Sequence, residues 1–274
     1  MSRTSARPEA ILESLEVPRG RVLFVHSSMD WLGKAGVGDA LCWLETLQQW
    51  VGRGGTLVMP SFPIRGSHLG YLKSRPLFDV RHTPSRAGLL TEIFRRSPNV
   101  RRTYEPDLPV AFWGEMGSFL ASTPNFAYDQ DPFGPGTTFR RLLDEVQPTL
   151  VGLGVSLNTN GFIHVVDSKL KSRYRMPLYS DDNFEATTVD YDGRRHTMLC
   201  RAVLDKIRNG IKPSAIFHEV VSRAEAFTSL RIGEVQFYRC NLSEWQEVCL
   251  QHANRRLSRG QLPIWIEALD SRSR

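Results

Sequence analysis

Residues 132–167 read PFGPGTTFRRLLDEVQPTLVGLGVSLNTNGFIHVVD. A Gly/Pro turn opens the stretch, and Phe139, Leu142 and Leu143 then fall on one face of a short amphipathic helix. TLVGLGV predicts a buried strand, and SLNTNG a polar loop that empties into a segment carrying His164 and Asp167. Residues three apart share a helical face, so a helical segment here is expected to point the imidazole and the carboxylate the same way. Polar loops at the carboxyl ends of parallel strands are where α/β sheets collect their chemistry. The loop 156–161 is therefore the expected centre of a site.

The order upstream has the same character. RVLFVHSSMDWLG contains the apolar run Val22–Val25, a strand that ends in a Ser-rich turn. A glycine-containing loop follows, with Gly33, Gly36 and Gly38. Asp39 then caps a helix to about Val51, with Leu41, Leu44, Leu47 and Val51 at helical spacing. TLVMPSF is the next buried strand, stopped by Pro60, so strand, helix and strand predict a right-handed parallel crossover. Residues 63–81 show no periodicity and read as a long loop. RAGLLTEIFRRSP predicts a helix, RRTYEPDLPVAFWG a turn entering a strand, and GEMGSFLAST a further short helix before the loop FAYDQDPFGPG. Downstream, YSDDNFEATTVDYDGRRHTML reads as a hairpin turning at Asp192-Gly193. Helical spacing returns in 217–226, GEVQFYRC predicts a strand, and SEWQEVCLQHANRRL a helix capped by Ser243. The fold class expected is α/β, a mixed, largely parallel central sheet flanked by helices, with a small β-hairpin/helical C-terminal region. One domain over 1–274 is expected: an arm to residue 20, a core over 20–170, and 171–274 as its C-terminal part.

Composition bounds the function. The chain has 274 residues, 41% hydrophobic and 23% charged, enough for a sizeable core without a membrane span. Cys42, Cys200, Cys240 and Cys249 form no CxxC pair, and MSRTSARPEA lacks an apolar leader, so free thiols and a cytoplasmic setting are expected. The net charge of +6 reads first as a solvated basic surface and second as steering for a polyphosphate cofactor or an acidic carrier. Its arginine pairs lack the aromatic interleaving of a nucleic-acid groove, so no nucleic-acid partner is expected. His68, His82, His196, His218 and His252 show no ligand spacing, and no metal is assigned. His26, closing the first strand, reads as a strand-end hydrogen bond at least as well as a functional group.

VLFVHSSMDWLG, GGTLVMPSF, FDVRHTPSRAGLLTEIFRRSPNVRRT and PFGPGTTFRRLLDE, in that order, resemble the aminoglycoside 3-N-acetyltransferase family. IKPSAIFHEV and RIGEVQFYRCNLSEW continue the likeness more weakly. The resemblance implies transfer of an acyl group from acetyl-CoA, or another acyl-CoA, to an amine of a sugar or amino-sugar metabolite. It also admits an acyl carrier protein as donor and a homodimer as the assembly. The departures are specific. The family's Ser-x-His-Pro, whose histidine is its general base, stands here as Thr103-Tyr104-Glu105-Pro106-Asp107, with Glu105 in the histidine's place. Pro109 stands where a small hydroxyl residue is usual, Gly161 where a threonine is frequent, and His-x-x-Glu appears as His164 to Asp167.

Amine acylation needs a base, a positioned thioester and donors for the oxyanion. Glu105 serves as base only if burial or a like charge such as Asp107 raises its pKa, and the same two residues read equally as a solvated turn around Pro106. His164, between Ile163 and Val165, reads as a catalyst or as a satisfied core histidine, and Asp167 as the group fixing its tautomer or holding the amine. The strand ends Ser27, Ser28, Pro60, Ser61 and Phe62, with Asn160 of the central loop, are the expected acyl-CoA contacts. Two other readings stay open: altered chemistry on the same fold, and a non-catalytic CoA- or sugar-binding homologue.

Overall fold

Apolar residues fill both faces of the central strands, which requires a covering layer on each side. Leu23, Val25, Leu57, Met59, Val151, Leu153 and Phe237 belong to one core cluster, and Phe24, Val58, Leu150, Tyr238 and Cys240 to the other. The period of two sends alternate side chains to opposite faces. The computed structural model describes residues 7–121, 131–222 and 226–270. Its strands are β1 (Val22–Ser27), β2 (Thr56–Pro60), β3 (Leu77–Asp79), β4 (Arg101–Arg102), β5 (Val110–Gly114), β6 (Thr149–Leu153), β7 (Phe184–Val189), β8 (Arg195–Cys200), β9 (Phe227–Ile232) and β10 (Val235–Asn241). A seven-stranded sheet runs β4-β5-β2-β1-β6-β10-β9, and a three-stranded one runs β3-β7-β8. β1 is parallel to both β2 and β6, while β5 and β10 pair antiparallel outside them, so the mixed sheet expected from the sequence is formed around a parallel centre.

The helix Ala40–Val51 buries Trp43, Leu44, Leu47 and Trp50 against the first face, with Asp39 accepting from the Cys42 N–H (2.8 Å) as its cap. The second face is covered by residues including Phe139, Val165, Val166, Trp245 and Trp265. Four expectations are corrected. Residues 29–35 form a helix rather than a loop, ended by the left-handed Gly36 (φ 68°). Residues 63–81 contain the helix His68–Lys73 and β3, because Ser67 caps the Gly70 N–H and β3 pairs with the distant β7. The final long helix, Leu242–Leu257, is capped by Asn241, whose side chain accepts from the N–H groups of Ser243 and Glu244. β9, which the sequence left unassigned, is held as a strand by its pairing with β10. The expected loop at 122–130 and residues 223–225 lie outside the described residues.

At the centre of the sheet Gly152 faces His26 on one side and Tyr238 on the other. A Cβ there would lie 2.0 Å from the Tyr238 ring, which is stacked on Phe227 (5.5 Å, 20°). Gly54, by contrast, has open space around it. Gly152→Ala is expected to cost about 3 kcal/mol, read from the urea midpoint, whereas Gly54→Ala stays within about 0.5 kcal/mol.

Candidate active site

β6 ends at Leu153, and Gly154 beyond it takes a left-handed φ of 69° and donates its N–H to the Gln236 carbonyl (2.9 Å). The chain then closes a short 3-10 turn over Leu157–Thr159. This turn forms one wall of a cleft of about 450 Å³. Ser28 and Trp31 come to it from the end of β1, Ser156 and Thr159 from the loop, and Arg231 and Gln236 from the β9–β10 hairpin. The hairpin residues lie some eighty positions downstream and carried no signal in the sequence.

The same loop continues into a second, smaller cavity of about 120 Å³. Phe62, Ile64, Leu108, Phe133, Phe139 and Val203 give it apolar walls, and His68, His164 and Arg208 its polar groups. Asp131 sets the wall by accepting from the Phe133 N–H (2.9 Å), the Ser168 hydroxyl (2.7 Å) and the Lys171 ammonium (2.6 Å). Phe133 is thereby held with its ring stacked on His164 (5.1 Å, 29°). Burial, with the nearby His68 and Arg208 adding to it, pushes the His164 pKa down to about 4. His164 is thus a neutral imidazole at pH 7, with no ring hydrogen bond among the described residues.

His68 is the residue the sequence reading missed, since an isolated histidine in an unpatterned stretch carries no spacing signal. It is fully enclosed. The Val203 N–H donates to its Nδ1 (3.1 Å), so the proton sits on Nε2 and is given to Asp107 (2.9 Å). Both ring nitrogens are occupied. Asp107 also accepts from the Leu108 N–H (2.9 Å).

The expected carboxylate pair is therefore divided. In an extended segment residues two apart share a side, but here Pro106 turns the chain, so Asp107 meets His68 while Glu105 meets the helix beginning at Thr138. The Glu105 carboxyl accepts from both the N–H (2.9 Å) and the hydroxyl (2.5 Å) of Thr138. Burial pushes its pKa up, against the lowering effect of its Thr138 and Thr103 hydrogen bonds. Asp167 also parts from His164. Three residues along a helix turn the direction by about 60°, which sends Asp167 into the core instead of the cavity. There it accepts from the Tyr174 hydroxyl (2.7 Å) and the Trp265 indole (2.9 Å), and burial pushes its pKa up to about 7.

The expected acyl-CoA contacts also separate. Ser28 lines the cleft, and Phe62 the small cavity. Ser27 is paired in β1 opposite Leu153, and Pro60 in β2 opposite Val110. Ser61 is buried, its N–H bonded to the Pro109 carbonyl (2.9 Å) and its carbonyl to Arg102 (2.6 Å). Asn160 is buried, between Thr159 of the cleft and Gly161 of the cavity in sequence. Its side-chain oxygen accepts from the Phe162 N–H (3.1 Å), which fixes the amide's orientation and leaves Nδ2 without a partner among the described residues. His26 is buried, with its Nε2 likewise unpartnered and its pKa lowered by burial to about 4.

Comparison with known proteins places this arrangement. A family model described as aminoglycoside 3-N-acetyltransferase matches residues 24–253. Aminoglycoside N(3)-acetyltransferase IV from Salmonella sp is 31% identical over 199 residues, 71% of each chain. An SPbeta prophage-derived aminoglycoside N(3')-acetyltransferase-like protein, YokD of Bacillus subtilis (strain 168), is 23% identical over 250 residues, 84% of each. Among solved structures, aminoglycoside acetyltransferase AAC(3)-IVa superposes with a TM-score of 0.69 at 22% identity, covering 93% of this chain and 90% of that one. AAC-IIIb, solved as a binary complex with CoASH, gives 0.69 at 17% identity over 92% and 98%. With its sheet, its central loop and most of its length matched, this chain belongs to the aminoglycoside 3-N-acetyltransferase family of N-acetyltransferases.

Proposed function

We propose that this protein moves an acetyl group from acetyl-CoA to a primary amine of a small molecule, an amino sugar being the acceptor its family membership supplies. One observation carries the reading: the loop 156–164 lines both the larger cleft and the small cavity, so a donor in one and an amine in the other would meet across it. The cleft suits a pantetheine arm, with hydroxyls from Ser28, Ser156 and Thr159 just beyond the carboxyl ends of β1 and β6. The CoASH complex of AAC-IIIb, and an AAC(3)-IVa structure with a histidine changed to alanine in complex with apramycin, support a shared donor-and-amine arrangement on this fold.

The roles follow from where each group lies and what holds it. Acetyl-CoA supplies an activated acyl carbon and a thiol leaving group. His164, neutral and facing the cavity, accepts the amine proton as the new C–N bond forms, and returns a proton to the departing sulfur as the C–S bond breaks. Asn160 offers an amide N–H already oriented by Phe162, suited to hydrogen-bond a developing oxyanion without reorganisation. His68 has no free nitrogen and serves with Asp107 to hold the cavity wall. Glu105 is a positioning residue that seats the turn at Thr138 and hence Phe139. Asp167 anchors Tyr174 and Trp265 behind the His164 helix.

His164→Gln is expected to lower kcat by about 10²- to 10³-fold, and Asn160→Asp by about 10²-fold, with acetyl-CoA affinity retained. Glu105→Gln, which keeps an acceptor for Thr138, should change kcat by no more than a few-fold; a loss equal to that of His164→Gln would return the base to Glu105. In calorimetric titration with acetyl-CoA, saturable binding that Ser28→Trp abolishes is expected, and binding that survives the tryptophan would move the donor out of the cleft. Asp167 tests the electrostatics. Its folded pKa of about 7 lies above the ordinary carboxylate value, so the folded state holds more protons than the unfolded state between about pH 4 and 7. Stability therefore falls as pH rises through that window. Asp167→Asn should raise the Tm relative to the parent at pH 8, with the gap closing by pH 4.

A further inference from the structure

The acceptor's chemistry can be read from what surrounds His164. An aminoglycoside carries several ammonium groups, and burying them requires carboxylates. None of the described residues lining the cavity is acidic. The carboxylates close by each hold a contact of the fold: Glu105, through one oxygen, with Thr138, Asp107 with His68, and Asp131 with Phe133, Ser168 and Lys171. The one permanent charge on the described lining is the Arg208 guanidinium. Arg208 gives one N–H to the Gly66 carbonyl (2.7 Å), which steadies it at the mouth, and it has no carboxylate partner among the described residues. Its positive charge repels a second ammonium and attracts an anion. The rest of the wall is phenyl and aliphatic, suited to the C–H face of a ring or a short carbon skeleton.

We propose that the acceptor is a compact primary amine bearing one anionic group, a carboxylate or a phosphate, with its body against Phe62, Phe133 and Phe139, its amine at His164 and its anion at Arg208. The proposal rests on the acyl-transfer reading above and names the substrate class of that site. Arg208 is then a specificity-determining residue.

The test is thiol release from acetyl-CoA by the full-length chain, with kcat/KM measured on matched amines. One pair is glucosamine 6-phosphate and glucosamine, the other 4-(aminomethyl)benzoate and 4-methylbenzylamine, with gentamicin and apramycin as polycations. The anionic member of at least one pair is expected to exceed its neutral partner by about five- to tenfold, and the pair that shows it names the anion. Arg208→Gln, which keeps a donor for the Gly66 carbonyl, should bring that ratio close to one, and Arg208→Lys should restore most of it. A higher kcat/KM on the polycations, or a ratio untouched by Arg208→Gln, overturns the proposal and leaves acyl transfer standing. No acetylation of any amine overturns both.

Discussion

β6 is paired on both sides, parallel to β1 and antiparallel to β10, and the position of the site follows from that pairing. A strand so held must deliver its C-terminal loop to one place, between the end of β1 and the β9–β10 hairpin. Gly152 makes the pairing possible, because any side chain there would collide with Tyr238, and Gly154 turns the chain out of the sheet with a left-handed φ. Residues of the loop that emerges line the cleft at 154–159 and the cavity at Gly161.

Around that loop, buried polar groups are sorted by whether they have partners. Glu105, Asp107, His68 and Asp167 each end in a hydrogen bond that a fold-holding element supplies. The half-buried His164 and the Asn160 amide N–H make no such bond among the described residues, and the second oxygens of Glu105 and Asp167 are also without one. In a low-dielectric interior an unpartnered polar group is costly to keep, and functional sites are where such groups are retained. The proposed assignment of the base to His164 rests on its place in the cavity lining, which Glu105, held through one oxygen by Thr138, does not share. Glu105 is tied to the start of the helix at Thr138.

Much of the scaffold was legible in one dimension. The runs VLFV, TLVM and TLVGL read as buried strands because both faces are covered, and Asp39 announced its helix because an N-cap needs an oxygen at that position. What was not legible has a common cause. Residues 63–81 show no periodicity, because their helix is short and β3 is a strand only by virtue of β7, more than a hundred residues away. Asn241 displaced Ser243 as a cap because β10 ends there and sets where the helix can begin.

By itself, the sequence determined the family and the order of the core elements, since each depends on local pattern or on several motifs in register. Only the tertiary structure decided what each polar side chain does. Glu105 and Asp107 are two residues apart but are claimed by Thr138 and His68, which lie over thirty positions away on either side. His164 and Asp167 are one helical turn apart, yet one faces a cavity and the other the core. A side chain's pKa and its freedom to react depend on its partners and its burial, and those are properties of the folded chain.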